Sequence, residues 1–253
     1  MTYYDDLTND KKRVNAFFKA IHRKVHGVCY DLGTGSGILA KEAGKYADYV
    51  YAIEQNPLII DKTREYLEDY DNITFIHDDA TEYEFTGKID VVICEMLDTA
   101  LIDEEQIPVI NNVVKYTDND TTFIPKAVYS TMQLINTQVM GICYYEDNHP
   151  KYTALSDETR YCDIELNRYN NPEYEKSVAI KVNSDGLLNA IKITTYTLLT
   201  DDILLEPTPM LNPPIIIPID DMGVVRGDEI IINIKYTMGG GLNTIQTTRK
   251  RNN

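Results

Sequence analysis

The string Asp31-Leu32-Gly33-Thr34-Gly35-Ser36-Gly37 places three glycines in alternation directly after an apolar run. Glycines where a strand hands over to a helix let the backbone take positive φ and approach a ligand closely. The spacing matches neither common phosphate-binding pattern. A dinucleotide fingerprint counted from Gly33 would need glycine at position 38, which is Ile38, and a phosphate loop would need a Gly-Lys-Ser/Thr triplet that does not occur. Twenty-one residues after Gly33, Glu54 closes the segment Ala52-Ile53-Glu54. A carboxylate at that strand end can accept both hydroxyls of a ribose lying across the sheet. Asp78-Asp79-Ala80 follows the next apolar run, where Asp79 or a neighbouring amide could meet an adenine edge. Loop, first acid and second acid at the ends of three successive strands point to a nucleoside cofactor.

A further pair of carboxylates lies downstream. Glu95 ends the run Asp90-Val91-Val92-Ile93-Cys94-Glu95, and Glu104 follows nine residues later. At that spacing the two could converge across a loop above the sheet. Equally, Glu104 and Glu105 could open the next helix, where acids favour the positive end of the helix dipole. Spacing alone leaves both open.

Positioning these groups needs alternating strands and helices, and the first half of the chain supplies them. Val28–Leu32, Tyr49–Glu54, Ile73–His77 and Ile89–Cys94 read as strands, with a shorter one at Thr121–Ile124. Ile38–Ala47, Pro57–Tyr70 and Glu104–Tyr116 read as helices, the second with proline in its first turn. Strands alternating with helices predict a parallel sheet covered on both faces. After Pro125 the pattern changes to β-branched and aromatic runs. Ser177–Val182 and Leu187–Leu198 read as a hairpin turning on Asp185-Gly186, and Ile215–Ile219, Glu229–Thr237 and Asn243–Thr248 as three more strands. An antiparallel second half follows, barrel or sandwich. The polar stretch Leu155–Tyr174 reads as a long connection or arm.

Composition narrows the partners. The chain has 253 residues with 24 Lys and Arg against 40 Asp and Glu, a formal net charge of -16. Such a surface repels phosphate backbones, so general nucleic-acid or anionic-membrane binding is not expected, while cationic partners are attracted. Cys29, Cys94, Cys143 and Cys162 form no C-x-x-C pair, and the four histidines form no H-E-x-x-H, so no metal site is expected. Met1–Arg13 is charged and lacks an apolar core, and no later apolar run is long enough to span a bilayer. These features predict a cytoplasmic protein in a reducing compartment.

The glycines and acids together resemble the class I S-adenosylmethionine-dependent methyltransferases. In that class the motif matching Asp31, Gly33, Gly35 and Gly37 lies under the methionine part of the cofactor, and the acid matching Glu54 binds ribose. A cofactor without phosphate agrees with the missing third glycine of a pyrophosphate cradle. Leu7, Asp10 and Arg13 resemble the N-terminal helix of the protein arginine methyltransferases, whose arginine binds the cofactor carboxylate. Tyr4 falls where that family usually has a cofactor-contacting histidine. The family also carries a double-E loop, serine-glutamate-tryptophan-methionine-glycine-tyrosine, with a second glutamate nine residues after the first; Glu95 and Glu104 match the pair. Phe123-Ile124-Pro125 resembles its step between domains, and Gly186–Thr197 and Val225–Tyr236 resemble its β segments.

The resemblance implies an α/β Rossmann-like methyltransferase domain at 1–125, followed by an antiparallel β-barrel-like domain at 126–253. It implies S-adenosyl-L-methionine as cofactor, bound by Tyr4, Arg13, Asp31, Gly33, Gly35, Gly37, Glu54 and Asp79. Glu95 and Glu104 become catalytic, the acceptor a basic protein or peptide, and a homodimer one of the assemblies allowed. The chain also departs from the family. Around Glu95 it reads Cys94-Glu95-Met96-Leu97-Asp98-Thr99, without the tryptophan, glycine or tyrosine. The family's threonine-histidine-tryptophan loop is replaced by Glu206-Pro207-Thr208-Pro209-Met210-Leu211-Asn212-Pro213-Pro214 in a chain with no Trp, and the β half is short for a dimerisation arm.

A guanidinium is a poor nucleophile because its charge is delocalised and its pKa exceeds 12. Two carboxylates in a charge-assisted fork can hold that charge on one side and leave electron density on the reacting nitrogen. Arginine methylation in a protein is therefore the leading expectation. Two others stay open: methylation of a small metabolite or another side chain, with the Pro207–Pro214 segment rebuilding the pocket, and a non-catalytic cofactor-binding interaction protein.

Overall fold

The computed structural model describes residues 9–252, so Tyr4 and Leu7 lie outside the described residues. Helix α1 (Lys11–Lys24) opens the chain, with Asp10 as its N-cap accepting the Arg13 N–H at 3.1 Å. Its buried stripe is Val14, Phe17, Ala20 and Ile21, with Arg13 buried on the same helix one turn before Phe17. Spacings of three and four put these side chains on one face. The helix packs on α2 (Ile38–Ala43) and on strands from both halves of the molecule.

Strands β1 (Val28–Leu32), β2 (Tyr49–Glu54), β3 (Ile73–His77), β4 (Val91–Cys94) and β5 (Thr122–Ile124) form a parallel sheet in the order β3-β2-β1-β4-β5. Helices α3 (Ile60–Leu67) and α4 (Gln106–Val113) complete the βα half. The strand order reverses at β1, and open sheets of this kind bind ligands beyond the carboxyl ends of the strands at such a reversal. Register brings the chemistry to one level there. Leu32 pairs with both Ile53 and Cys94, and Glu54 pairs with His77. The next residues, Gly33, Glu54, Glu95 and Asp78, therefore emerge along a single edge.

The second half is antiparallel. A seven-stranded sheet runs β7 (Cys143–Tyr144), β13 (Ile215–Val224), β11 (Gly186–Thr200), β6 (Ala127–Asn136), β8 (Thr153–Ala154), with β12 (Ile203–Leu205) on β11 and β9 (Thr159–Glu165) on β6. A three-stranded sheet runs β10 (Glu173–Lys181), β14 (Glu229–Thr237), β15 (Gln246–Asn252). The sheets approach each other where β9 nears β10 and β13 nears β15, giving the barrel-like arrangement. Alternating residues of β10 and β14, among them Val178, Ile180, Ile230, Ile232 and Ile234, fill the space between.

Several sequence expectations need correction. The Ser177–Val182/Leu187–Leu198 hairpin does not form: β10 pairs with β14, and β11 pairs with β6 and β13. Asp185 instead accepts the Arg226 N–H at 2.7 Å, while the Val182 N–H donates to the Asp228 carbonyl and the Val182 carbonyl accepts the Gly227 N–H, so the chain crosses between sheets at this point. Leu155–Tyr174 is no arm, because it contains β9, whose Tyr161, Cys162 and Ile164 are buried. The helices are shorter than their apolar patterns: Asn56 accepts the Leu58 N–H and delays α3 to Ile60, Gly44 ends α2, and α4 begins at Gln106. The Asn243–Thr248 strand is a 3₁₀ turn at Leu242–Thr244 followed by β15.

Phe17 is fully buried and anchors the helix that carries Arg13. Phe17→Ala is expected to cost about 3–5 kcal/mol by chemical denaturation, the usual range for a buried aromatic. A loss below about 1 kcal/mol would mean that α1 does not depend on this contact.

Candidate active site

At the carboxyl edge of the parallel sheet lies a cavity of about 250 Å³. Arg13, Asp31, Gly33, Gly35, Glu54, Asp79, Glu95 and Glu104 all line it; Gly37 does not, and sits behind the loop as the residue before α2. Gly33, Gly35 and Gly37 have φ of 67°, 55° and 78°. At Gly33 the need is also spatial, since a Cβ there would lie 2.7 Å from Met96 Sδ.

Glu54 closes the glycine loop onto the second strand. Its Oε2 accepts the Gly35 N–H at 2.9 Å and its Oε1 the Asn56 N–H at 2.7 Å. A carboxylate has about four acceptor positions, so each oxygen retains one for a ribose hydroxyl. Asp31 accepts from the Thr34 hydroxyl, and burial pushes its carboxyl up to about 7, with Glu54 adding to the rise. Asp79 is partly engaged elsewhere. Its Oδ1 accepts from the Thr81 N–H and hydroxyl at 2.8 and 2.7 Å, and its own N–H goes to Asp78.

Glu95 and Arg13 form an ion pair at 2.5 Å with side chains 13% and 3% exposed. Burial raises the Glu95 carboxyl to about 7; Arg13 opposes the rise, while Asp31 and Glu104 add to it. Glu104 is raised as well, by burial and by Asp103 and Glu105. It lies in the turn before α4, so the helix-opening alternative accounts for Glu105, the N-cap, and not for Glu104. Like charges this close favour a cationic occupant, which lowers the cost of ionising both.

Three residues here escaped sequence reasoning. Gln106, fully buried, accepts the Met96 N–H at 2.9 Å and so fastens the two ends of the glutamate loop together. Met96 packs under the glycine turn, and Met210 reaches the cavity from the Pro207–Pro214 segment of the other half. No periodicity marks a side chain that acts across a domain junction.

The cavity's lining has seven carboxylates and, among the described residues, one cation, Arg13. A phosphate-bearing cofactor would be repelled, whereas a sulfonium and an ammonium would be attracted. S-adenosylmethionine, an adenosine without phosphate, fits this lining. No cluster that could hold a metal occurs among the described residues, and no helix among them is long and apolar enough to cross a membrane.

Residues 29–119 match the family model described as a methyltransferase domain. Residues 29–119 thus form a class I S-adenosylmethionine-dependent methyltransferase domain. Full-length relatives are archaeal: an uncharacterized protein of Methanothermobacter thermautotrophicus, 40% identical over 97% of this chain and 96% of its own, and another of Methanocaldococcus jannaschii, 38% identical over 96% and 95%. An rRNA adenine N-6-methyltransferase of Escherichia coli is 27% identical over 34% of this chain and 35% of its own. Among solved structures, the PRMT1 enzyme–prozyme heterotetramer of Trypanosoma brucei with AdoHcy shares the fold, with a TM-score of 0.78 at 15% identity over 96% of this chain and 95% of that one. The methyltransferase therefore has both halves of that architecture, and its cofactor is S-adenosylmethionine.

Glu54→Ala in this methyltransferase is expected to weaken S-adenosylmethionine binding by on the order of 2–3 kcal/mol in isothermal titration, through lost bonds to a charged acceptor. Unchanged affinity would remove Glu54 from the ribose site.

Proposed function

We propose that the protein methylates a guanidinium, that of an arginine side chain in a basic protein or peptide. The observation that carries this is the presence of Glu95 and Glu104 in one anionic cavity with the glycine loop. Residues 1–125 act as the cofactor-binding domain, and residues 126–253 close the acceptor side. Bound over the glycine loop, S-adenosylmethionine supplies an electrophilic methyl group on a cationic sulfur. Arg13 takes the cofactor carboxylate with part of its guanidinium while still paired to Glu95, since the planar fork offers five donors. Glu54 holds the ribose. Gly33 and Gly35 leave room for the backbone to run beneath the methionine chain.

Glu95 and Glu104 would bind the acceptor and hold its charge away from the reacting nitrogen, which would take the methyl group as S-adenosylhomocysteine is left and its own proton passes to a carboxylate or to water. Met210 and Met96 supply apolar walls that keep water from the anionic floor. The full-length structural likeness to an arginine methyltransferase complex supports the reading at the level of fold. A second reading, a small cationic acceptor, is favoured by Met210 reaching the cavity from the proline-rich segment, which narrows the approach for a peptide.

A methylation screen with tritiated donor, comparing arginine-containing peptides with metabolite fractions, separates the two. Glu95→Gln and Glu104→Gln should each lower turnover ~10²-fold or more, a few kcal/mol of transition-state stabilisation; cofactor affinity should stay nearly unchanged in Glu104→Gln, whereas Glu95→Gln also removes the charge paired with Arg13 and so changes it. A Glu104→Gln enzyme active within a few-fold of the parent would exclude a guanidinium acceptor.

Acidity gives an independent check. The Glu95 carboxyl sits at about 7 and must be ionised to bind a cation, so kcat/KM should fall as pH drops below about 7. A bound guanidinium favours the ionised form, so the same limb in kcat should lie at lower pH. Coincident limbs, or a flat profile from pH 5.5 to 8, would count against a cationic acceptor at Glu95.

A further inference from the structure

Between the two glutamates lies a buried carboxylate that the reaction does not use. Asp98 is 5% exposed. Its Oδ2 accepts the N–H groups of Ile102 at 3.1 Å and Asp103 at 3.0 Å, and its Oδ1 accepts the Glu104 N–H at 3.3 Å. The Tyr144 hydroxyl donates to Oδ2 at 3.1 Å from β7 of the antiparallel sheet. Three successive backbone N–H groups turned toward one point make an anion-binding concavity, and here the anion belongs to the chain itself.

The loop around it is held in a costly shape. Ala100 and Leu101 have φ of 61° and 59°, a region that residues with a Cβ avoid. Such backbone persists only where its surroundings over-determine it. The surroundings come from the antiparallel half: the Thr99 hydroxyl donates to the Pro213 carbonyl, the Ala100 N–H to the Thr195 hydroxyl, and the N–H groups of Gly239 and Gly241 to the Leu101 and Ile102 carbonyls. Asp98 is the one side chain in this set that bonds directly to the Glu104 backbone.

We propose that Asp98 is a positioning residue that aims Glu104 at the acceptor, by gathering the backbone N–H groups of residues 102–104 and tying them through Tyr144 to the antiparallel half. The proposal rests on Glu104 as an acceptor-binding group. Misplacement of a reacting partner by about 1 Å can cost ~10²-fold in rate, which makes the loop's shape a catalytic quantity. Asparagine keeps the size of Asp98 but sets an NH₂ group against one of the converging donors.

The full chain is compared with Asp98→Asn and with Tyr144→Phe, which removes one bond and leaves the three N–H contacts. Amide hydrogen exchange should quicken at least ten-fold at residues 102–104 in Asp98→Asn and by a smaller factor in Tyr144→Phe, while S-adenosylhomocysteine affinity stays within two-fold. With an Arg-Gly-Gly repeat peptide as acceptor, Asp98→Asn should lower kcat at least ten-fold. The same change in a Glu104→Gln background should cost less than two-fold, because the aim of a neutralised side chain no longer matters. Unchanged exchange at 102–104, an equal kcat loss in both backgrounds, or a parallel loss of cofactor affinity would overturn the proposal. Should Asp98→Asn not fold, the local exchange of Tyr144→Phe decides. A parent enzyme that leaves the peptide unmethylated counts against the arginine reading, and exchange alone then decides this one.

Discussion

The ion pair between Arg13 and Glu95 is the constraint around which the site is arranged. Taking a carboxylate and a guanidinium out of water costs several kcal/mol per ion, and the cost is recovered only when geometry is close and the remaining charges are accommodated. Arg13 must therefore arrive at the end of β4 from outside the sheet. The Asp10 cap starts α1 just before it, and the Phe17 anchor fixes the rotation of the helix. Because α1 rests on both the parallel and the antiparallel half, the pair also couples the cofactor edge to the relative placement of the two halves. The surrounding carboxylates gain from this arrangement as well, since one buried cation softens the repulsion among Asp31, Glu95 and Glu104.

Strand register does the rest of the assembly on the parallel side. Leu32, Ile53 and Cys94 are level, so the three residues that follow them meet at one edge without any loop having to reach. Across the junction no such regularity exists. The segment from Asp98 to Glu104 bonds to Thr195 of β11, to Pro213 of the segment that carries Met210, and to Gly239 and Gly241 beyond β14. The loop between the two glutamates is thus held by contacts between pieces far apart in the chain, and its strained backbone at Ala100 and Leu101 is stabilised by partners from the other half.

The contrast explains what could be read in advance. The glycine string, Glu54 and the strand ends were legible because each is a local pattern: alternating glycines need positive φ, and an acid closing an apolar run sits at a strand's carboxyl end. The strands of the parallel sheet were found within a residue or two for the same reason. The hairpin at Asp185-Gly186 failed because the turn signal was local while the pairing was not; Asp185 serves Arg226 and the strands on either side of it belong to different sheets. Tyr161, Cys162 and Ile164 of β9 sat within a polar stretch, and their burial against β6 and β10 was not visible in it.

The amino-acid sequence by itself determined the class of chemistry, an S-adenosylmethionine-dependent methyltransferase with a pair of candidate acceptor-binding glutamates, since those residues act through short-range backbone geometry and charge. Tertiary structure alone decided that Glu104 stands outside α4 and opens into the same cavity as Glu95, that Arg13 pairs with Glu95, that Gln106 and Asp98 hold the loop between the two glutamates, and that Met210 lines the cavity from the other half. The physical reason is the range of the interactions. Burial, ion pairing and long-range hydrogen bonds depend on which distant segments come together, and no spacing along the chain encodes them.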